Sequence, residues 1–320
     1  MGAGLARSGL GRRTTLGTAT LIIGANLPDI DVLAYTDGPG ADLAFRRGWT
    51  HGLPALIVLP FVLTGALMLL DRAVRRAGRA GLPSSVVPGE ILRLSAIAIL
   101  THPILDTLNT YGVRWLMPFA GQWFYGDTLF IVDPWMWLVL GLGLTVGRGG
   151  KSRGARPARI ALAVAAAYVL GMAVLGVTGR AIARRELEAQ GGPVDHLMVA
   201  PRLVTPLERQ VVAAQGDRYR LATFRWLARP HLDPASERWF ERPRADDPAL
   251  AAARTTPLGR RFLIWARFPA VQVEPGPAGG SVIHLMDLRY ADRPGTGFGS
   301  ATVAVASPPA ALTRPPITAR

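Results

Sequence analysis

Histidine and aspartate recur in this sequence at spacings that suit a metal ion. In THPILD, His102 and Asp106 are four residues apart, so on a helix both side chains leave the same face about one turn apart. Pro103 lies between them, a residue that a helix tolerates in its first turn. In NLPDID, Asp29 and Asp31 are two apart, which suits a turn or helix end from which both carboxylates point into one cavity. His51 comes shortly after Arg46 and Arg47, and Asp127 and Asp133 lie further along. Imidazole with carboxylate is the ligand set of zinc, manganese and non-haem iron, and a carboxylate-bridged pair of ions is a common hydrolytic device. The chain has no cysteine, which excludes thiolate sites and cysteine nucleophiles. Each residue alone has a plainer reading, as an interfacial histidine or a helix-capping aspartate. His196, His231 and His284 have no acidic neighbours at ligand spacing and read as surface or strand residues.

The elements that must position these residues are apolar runs. Only 18% of the 320 residues are charged, below the quarter of a typical soluble domain, while 49% are hydrophobic. That excludes disorder and puts membrane proteins first. Residues 52 to 70 carry no charge over 19 positions, about the ~20 residues a helix needs to cross a bilayer. Residues 160 to 179 are as clean, and residues 134 to 147 extend backwards across Asp133. Two shorter runs, 14 to 28 and 94 to 105, either complete a set of five or form buried or interfacial helices. The expected fold is therefore an α-helical membrane bundle of about five transmembrane or membrane-embedded helices, followed by a smaller extracytoplasmic β-rich domain.

Charge orients such a bundle. With five crossings, one set of gaps holds Arg7, Arg12, Arg13, Arg72, Arg75, Arg76, Arg79, Arg148, Lys151, Arg153, Arg156 and Arg159, and the alternate gaps hold only Arg46, Arg47 and Arg114. The positive-inside rule then places the amino terminus in the cytoplasm and the carboxy-terminal domain outside. Of nine acidic residues in the first 180, only Asp71 and Glu90 fall inside; Asp29, Asp31, Asp37, Asp42, Asp106, Asp127 and Asp133 gather at the outer ends with His51 and His102. Ionisable groups at membrane depth face a cavity or a partner, so the gathering favours a site. The positive charge of this half is then read as an orientation signal, and nucleic-acid binding is set aside; the excess in the outer domain has no such reading.

Beyond Arg180 a short charged helix at 180 to 190 gives way to turns and strands, among them FLIWARF (262 to 268), SVIHLMDLRY (281 to 290) and GSATVAVA (299 to 306), with a long loop at 241 to 260. The expected organisation is a membrane-embedded helical domain over 1–180, a β-rich domain over 181–306 and a proline-rich disordered tail over 307–320. The segment from Asp106 to Pro134 is rich in Trp, Phe and Tyr, which suits either an interfacial belt or a pocket for an amphipathic substrate.

The runs GANLPDIDVL, FRRGWTH, THPILDTLNTYGVRWLMPF and FYGDTLFIVDPW resemble the YdjM/YfhP-like inner-membrane proteins, a family whose suggested activity is metal-dependent hydrolysis. The resemblance implies a bacterial inner-membrane protein with a metal site on Asp29, Asp31, His51, His102 and Asp106. Members of the family open on a Met-Asp-x-Leu-Thr-His type segment that supplies an early histidine; this sequence opens on Met1-Gly2-Ala3-Gly4-Leu5, where that segment would have ended. The expectation is either a start placed further upstream or one ligand fewer. Residues and resemblance together lead to a hydrolase acting on a phosphoester in a membrane lipid or lipid-linked envelope substrate. A divalent metal, zinc before manganese or iron, would activate water, Asp133 or Asp127 would assist as base or further ligand, and Arg46 and Arg47 would hold phosphate. The competing expectation is a non-enzymatic membrane scaffold whose outer domain binds a partner.

Overall fold

A computed structural model of the chain describes residues 1–38, 40–77, 86–146, 155–295 and 297–306. Two compact units emerge, one of residues 1–33 and 46–173, the other of residues 34–45 and 174–320. The expected tail at 307–320, and Arg79, Arg148, Lys151 and Arg153, lie outside the described residues.

The helices come first along the chain. Helix α1 (Gly2–Arg7) and α2 (Gly17–Gly24) lead into 3-10 turns over Leu27–Asp37; α3 (Ala41–Phe45), which belongs to the second unit, precedes the long α4 (Leu53–Arg76), α5 (Pro88–Thr107), α6 (Pro134–Val146) and α7 (Arg156–Gly191), the last shared between the two units. In α4 the buried residues Pro60, Leu63, Leu67 and Asp71 recur at the three- and four-residue spacing of one helix face, and Leu63 and Leu67 pack with Ile91 and Ile99 of α5. Asp71 is neutralised by Arg75, one turn on, at 2.9 Å. The opposite face exposes Ile57, Val58, Phe61, Val62, Leu69 and Leu70. In the most apolar windows of α4 and α7 only 22% and 17% of residues are buried, so these are not core helices of a soluble fold. Their uncovered apolar faces are what a bilayer solvates.

Among the described residues two helices, α4 and α7, are long and apolar enough to cross a membrane, by length and composition. This falls short of the five expected spans, for physical reasons. The run at 14–28 forms only the eight-residue α2. The run at 94–105 lies in α5, whose twenty residues include Glu90, Arg93, His102 and Asp106. Helix α6 has thirteen residues, about 20 Å at ~1.5 Å per residue, less than a ~30 Å hydrocarbon core.

The second unit is mostly antiparallel sheet. Strands β1 (His196–Pro201), β2 (Glu208–Gln215), β3 (Arg218–Arg225) and β4 (His231–Glu241) pair in sequence order, and β5 (Pro269–Pro275), β6 (Ser281–Asp287) and β7 (Ser300–Val305) form a second sheet. One face of the first sheet (Met198, Ala200, Val212, Ala214, Leu221) packs on Phe268, Ala270 and Met286; the other (Leu197, Val199, Val211, Ala213, Phe224) packs on Ala183 and Leu187 of α7. The expected loop at 241–260 and the first part of the expected strand at 262–268 are instead α8 (Pro248–Arg254) and α9 (Pro257–Trp265). Asp247 caps α8 by accepting from the Ala249 and Leu250 amides, Thr256 caps α9 by accepting from the Gly259 amide, and a proline follows each cap.

Behind α9, Arg289 and Asp287 form a fully buried ion pair at 2.7 Å, with Arg289 also donating to the Trp265 carbonyl. Asp287→Ala strands the guanidinium without its counter-charge, and the expected loss is about 3–5 kcal/mol. Thermal or denaturant unfolding of the purified protein, followed by tryptophan fluorescence, checks this; an unchanged midpoint would contradict it.

Candidate metal centre

Asp29, His51, His102 and Asp106 come together in the first unit, each offering a ligand atom within 4.8 Å of every other. His102 and Asp106 do so as their spacing predicts, one turn apart on α5, with His102 Nε2 to Asp106 Oδ2 at 3.4 Å. Pro103 differs from expectation, since it lies well inside α5 and not in its first turn. His51 Nε2 meets the same Asp106 Oδ2 at 3.4 Å, and His102 Nε2 meets Asp29 Oδ1 at 3.4 Å. The two imidazole rings stand edge to face with centroids 5.2 Å apart.

The tautomer of His102 is set by its far nitrogen. Nδ1 lies 2.7 Å from the Ala25 carbonyl, which can only accept, so Nδ1 carries a proton in either charge state; Asp106 and Asp29 favour the protonated imidazole, and loss of the second proton is what would free the Nε2 lone pair for an ion. His51 has Thr50 Oγ1 at 2.9 Å and Asp31 Oδ2 at 3.4 Å from its Nδ1. Asp31 thus stands behind His51 and not among the four converging residues. It also accepts from the Arg47 amide at 2.9 Å, Thr50 Oγ1 at 3.0 Å and Arg46 Nε at 3.3 Å. In the 3-10 turns, with ~3 residues per turn, side chains two apart point different ways, which separates Asp31 from Asp29. Burial pushes the Asp29 carboxyl up, but the hydrogen bond and charge of His102 outweigh it and hold the group below its ordinary range.

His51 is itself positioned by backbone. Arg47 adopts a left-handed conformation (φ 53°), and the His51 and Gly52 amides both donate to the Gly48 carbonyl. A Cβ at Gly48 would lie 2.8 Å from the Arg114 guanidinium, so only glycine admits this approach. Arg114 in turn donates its amide to the Arg47 carbonyl at 2.8 Å and its Nη2 to the Arg46 carbonyl at 3.2 Å. The two arginines expected to meet phosphate are engaged internally. Arg46 pairs with Asp29 at 3.7 Å and Asp31 at 3.3 Å; Arg47 pairs with Asp106 at 3.1 Å and donates to Asn109 Oδ1 at 2.9 Å. Thr50, Asn109, Arg114 and the Ala25 carbonyl were invisible as site groups in the sequence, because none has a charge or spacing that points to a ligand.

Asp133 and Asp127 are not among the converging four. Asp133 caps α6, accepting from the Trp135 and Met136 amides, and takes the Tyr168 hydroxyl at 3.0 Å. It shares a cavity of ≈ 430 Å³ with Asp106, Asn109 and the α6 residues Met136 and Leu140, but its carboxylate is already occupied. Asp127 is buried, with a left-handed backbone (φ 48°).

The YdjM inner membrane protein family matches residues 1–180, more than half of the chain and all of the residues above. The chain belongs to this family. Among curated proteins, the chain is similar to the uncharacterized protein YfhP of Bacillus subtilis (strain 168), 21% identical over 136 residues, or 42% of this chain and 37% of that one. The chain thus spans well under half of that relative's length. No solved structure matches. The YdjM match stops at residue 180, so it covers the helical half and leaves both sheets outside.

The geometry separates residues that could touch an ion from one that holds a neighbour. Asp106→Asn is expected to abolish zinc retention, whereas Asp31→Asn, acting through His51, weakens zinc binding by about 10–100-fold. Zinc titration of the two variants checks this, and the reverse ranking would contradict the arrangement.

Proposed function

We propose that this protein is an integral inner-membrane hydrolase with a divalent metal centre on Asp29, His51, His102 and Asp106. One observation supports the reading above the others: His51 Nε2 and His102 Nε2 are buried, converge on Asp106 Oδ2 at 3.4 Å and make no well-formed hydrogen bond among the described residues, while Asp106 Oδ2 has the Arg47 ion pair at 3.1 Å. Buried polar atoms left unpaired cost about 1–3 kcal/mol each, and a cation on their shared lone pairs removes that cost. Two imidazole nitrogens with carboxylate oxygens fit zinc first, and manganese or iron next. Such an ion, when bound, lowers the pKa of a water toward neutrality and polarises the group to be cleaved.

The chain's own residues would do the rest. The Ala25 carbonyl holds His102 in the tautomer that leaves Nε2 free, and Asp31 with Thr50 orients His51. Arg47, clamped between Asp106 and Asn109 and lying over the Tyr111 ring at 4.5 Å, fixes the Asp106 carboxylate. Arg46 is the more accessible guanidinium, at 22% exposure, and is the residue we assign to a phosphoryl oxygen of the substrate. The favoured substrate is a phosphoester of a membrane lipid or a lipid-linked envelope precursor, since the neighbouring helices expose apolar faces to a bilayer. In this reading the amino terminus is cytoplasmic and the second unit extracytoplasmic, which requires an odd number of crossings, so that membrane-embedded α2, α5 or α6 adds to α4 and α7.

Metal analysis of detergent-purified protein should find at least about one equivalent of a divalent transition metal, lost in His51→Ala and His102→Ala together with hydrolysis of a model phosphodiester. Arg46→Ala should raise KM for that ester by more than it lowers metal content, since Arg46 pairs with Asp29 and Asp31 as well. A scaffold without enzymatic function predicts the opposite pattern: His102→Ala lowers the unfolding temperature while metal content, nil in the parent, does not change.

A further inference from the structure

The cavity of ≈ 430 Å³ beside the candidate centre lies wholly within the first unit. It begins at the centre itself, because Asp106 is both one of its walls and one of the four converging residues. Away from Asp106 the walls turn apolar. On α6, Met136, Leu140 and Leu144 recur every fourth residue and so share one helix face toward the cavity. Gly141 lines it too and adds no side chain; a Cβ there would meet nothing within 4 Å. Another wall, at Leu129, is strapped to the end of α5, since the Gly126, Thr128 and Leu129 amides donate to the Thr107 and Leu108 carbonyls. Volume and lining are those of a ligand pocket, about 300–1,000 Å³ and mostly apolar with a few placed polar groups.

The polar groups differ in what they can still do. The Asp133 carboxylate is taken by two α6 amides and the Tyr168 hydroxyl. Asn109 is 4% exposed, and its Oδ1 accepts from Arg47 Nη1 and the Tyr111 amide, both at 2.9 Å. Those two donors fix which way the amide is turned and leave its Nδ2 hydrogens for a ligand.

We propose that this cavity receives an acyl chain of the lipid substrate, so that the centre selects a long-chain phosphodiester over a water-soluble one. The proposal rests on the hydrolase reading for its catalytic meaning, though not for the binding of a chain. Asn109 Nδ2 is then placed for the oxygen that joins chain and phosphate, three residues along from Asp106. Moving a chain from bilayer to protein gains little from the hydrophobic effect, since lipid tails are as apolar as leucine. What the cavity contributes is position: a chain held along α6 brings its phosphoester to Asp106 in a fixed orientation, which favours the reaction through entropy lost on binding.

The test uses the full chain in vesicles of phosphatidylethanolamine and phosphatidylglycerol carrying a trace of phosphatidylglycerol with a diazirine at the end of one acyl chain. After photolysis, mass spectrometry is expected to find label on Leu129 and Met136, which at 5% and 8% exposure a lipid outside the protein does not reach. Gly141→Leu fills the cavity, and Leu144→Trp is a second filling variant should the first not fold. Either should remove most of that label while the exposed α4 residues Ile57 and Phe61 stay labelled. In the parent, kcat/KM should favour 4-nitrophenyl hexadecyl phosphate over 4-nitrophenyl methyl phosphate, and the ratio should fall by about tenfold or more in the filled variant. Label confined to exposed faces, or label on Leu129 and Met136 that neither variant reduces, overturns the proposal. So does a ratio that filling leaves unchanged. A parent that hydrolyses neither ester defeats the hydrolase reading, while the labelling still decides whether the cavity holds a chain.

Discussion

The structure around the candidate site depends on a single oxygen. Asp106 Oδ2 is approached by His51 Nε2, His102 Nε2 and Arg47 Nε at 3.1–3.4 Å, with two of the three partners on other segments of the chain. A carboxylate buried to this degree is tolerated only when opposite charge and hydrogen bonds surround it. Arg47 supplies charge from one side; the two imidazoles present nitrogens that make no well-formed hydrogen bond among the described residues. Supporting contacts can be read as consequences: Asn109 and Tyr111 hold Arg47, Asp31 and Thr50 hold His51, and the Ala25 carbonyl holds His102.

The same demand accounts for the unusual backbone near residue 47. Arg47, whose side chain meets Asp106 and whose amide meets Asp31, has a left-handed backbone, and at Gly48 a Cβ would press on the Arg114 guanidinium. Strain of this kind persists where surrounding contacts over-determine it. Arg114, donating to the carbonyls of both Arg46 and Arg47, is one of those contacts.

How much of this could be read in the sequence follows from how local each signal was. The pair His102 and Asp106 was legible because four-residue spacing on a helix needs no tertiary knowledge. The different roles of Asp29 and Asp31 were not, since they depend on how a run of 3-10 turns faces two separate histidines. Arg46 and Arg47 looked like free phosphate donors because the sequence cannot show that their carboxylate partners lie 15 to 60 residues away. In the second unit, β2 and β3 gave no clean alternation because both faces of their sheet are covered, and such strands read as apolar runs. Helix α9 was mistaken for a strand from its aromatic and β-branched residues; the Thr256-Pro257 cap and the placement of Leu258, Phe262 and Trp265 on one face were the better guides. The expectation of about five transmembrane or membrane-embedded helices rested on apolar runs, and helix length and embedded charge set α2, α5 and α6 apart from the two long apolar helices α4 and α7.

The central claim is that two histidines and the carboxylates of Asp29 and Asp106 share an ion. X-ray absorption at the metal edge of the purified protein tests it most directly. The account predicts a zinc-type spectrum with imidazole scattering from two histidines and nearest N/O neighbours at about 2.0–2.2 Å. A bound metal without histidine scattering, or protein that holds no metal after exposure to a slight excess of zinc, would contradict it.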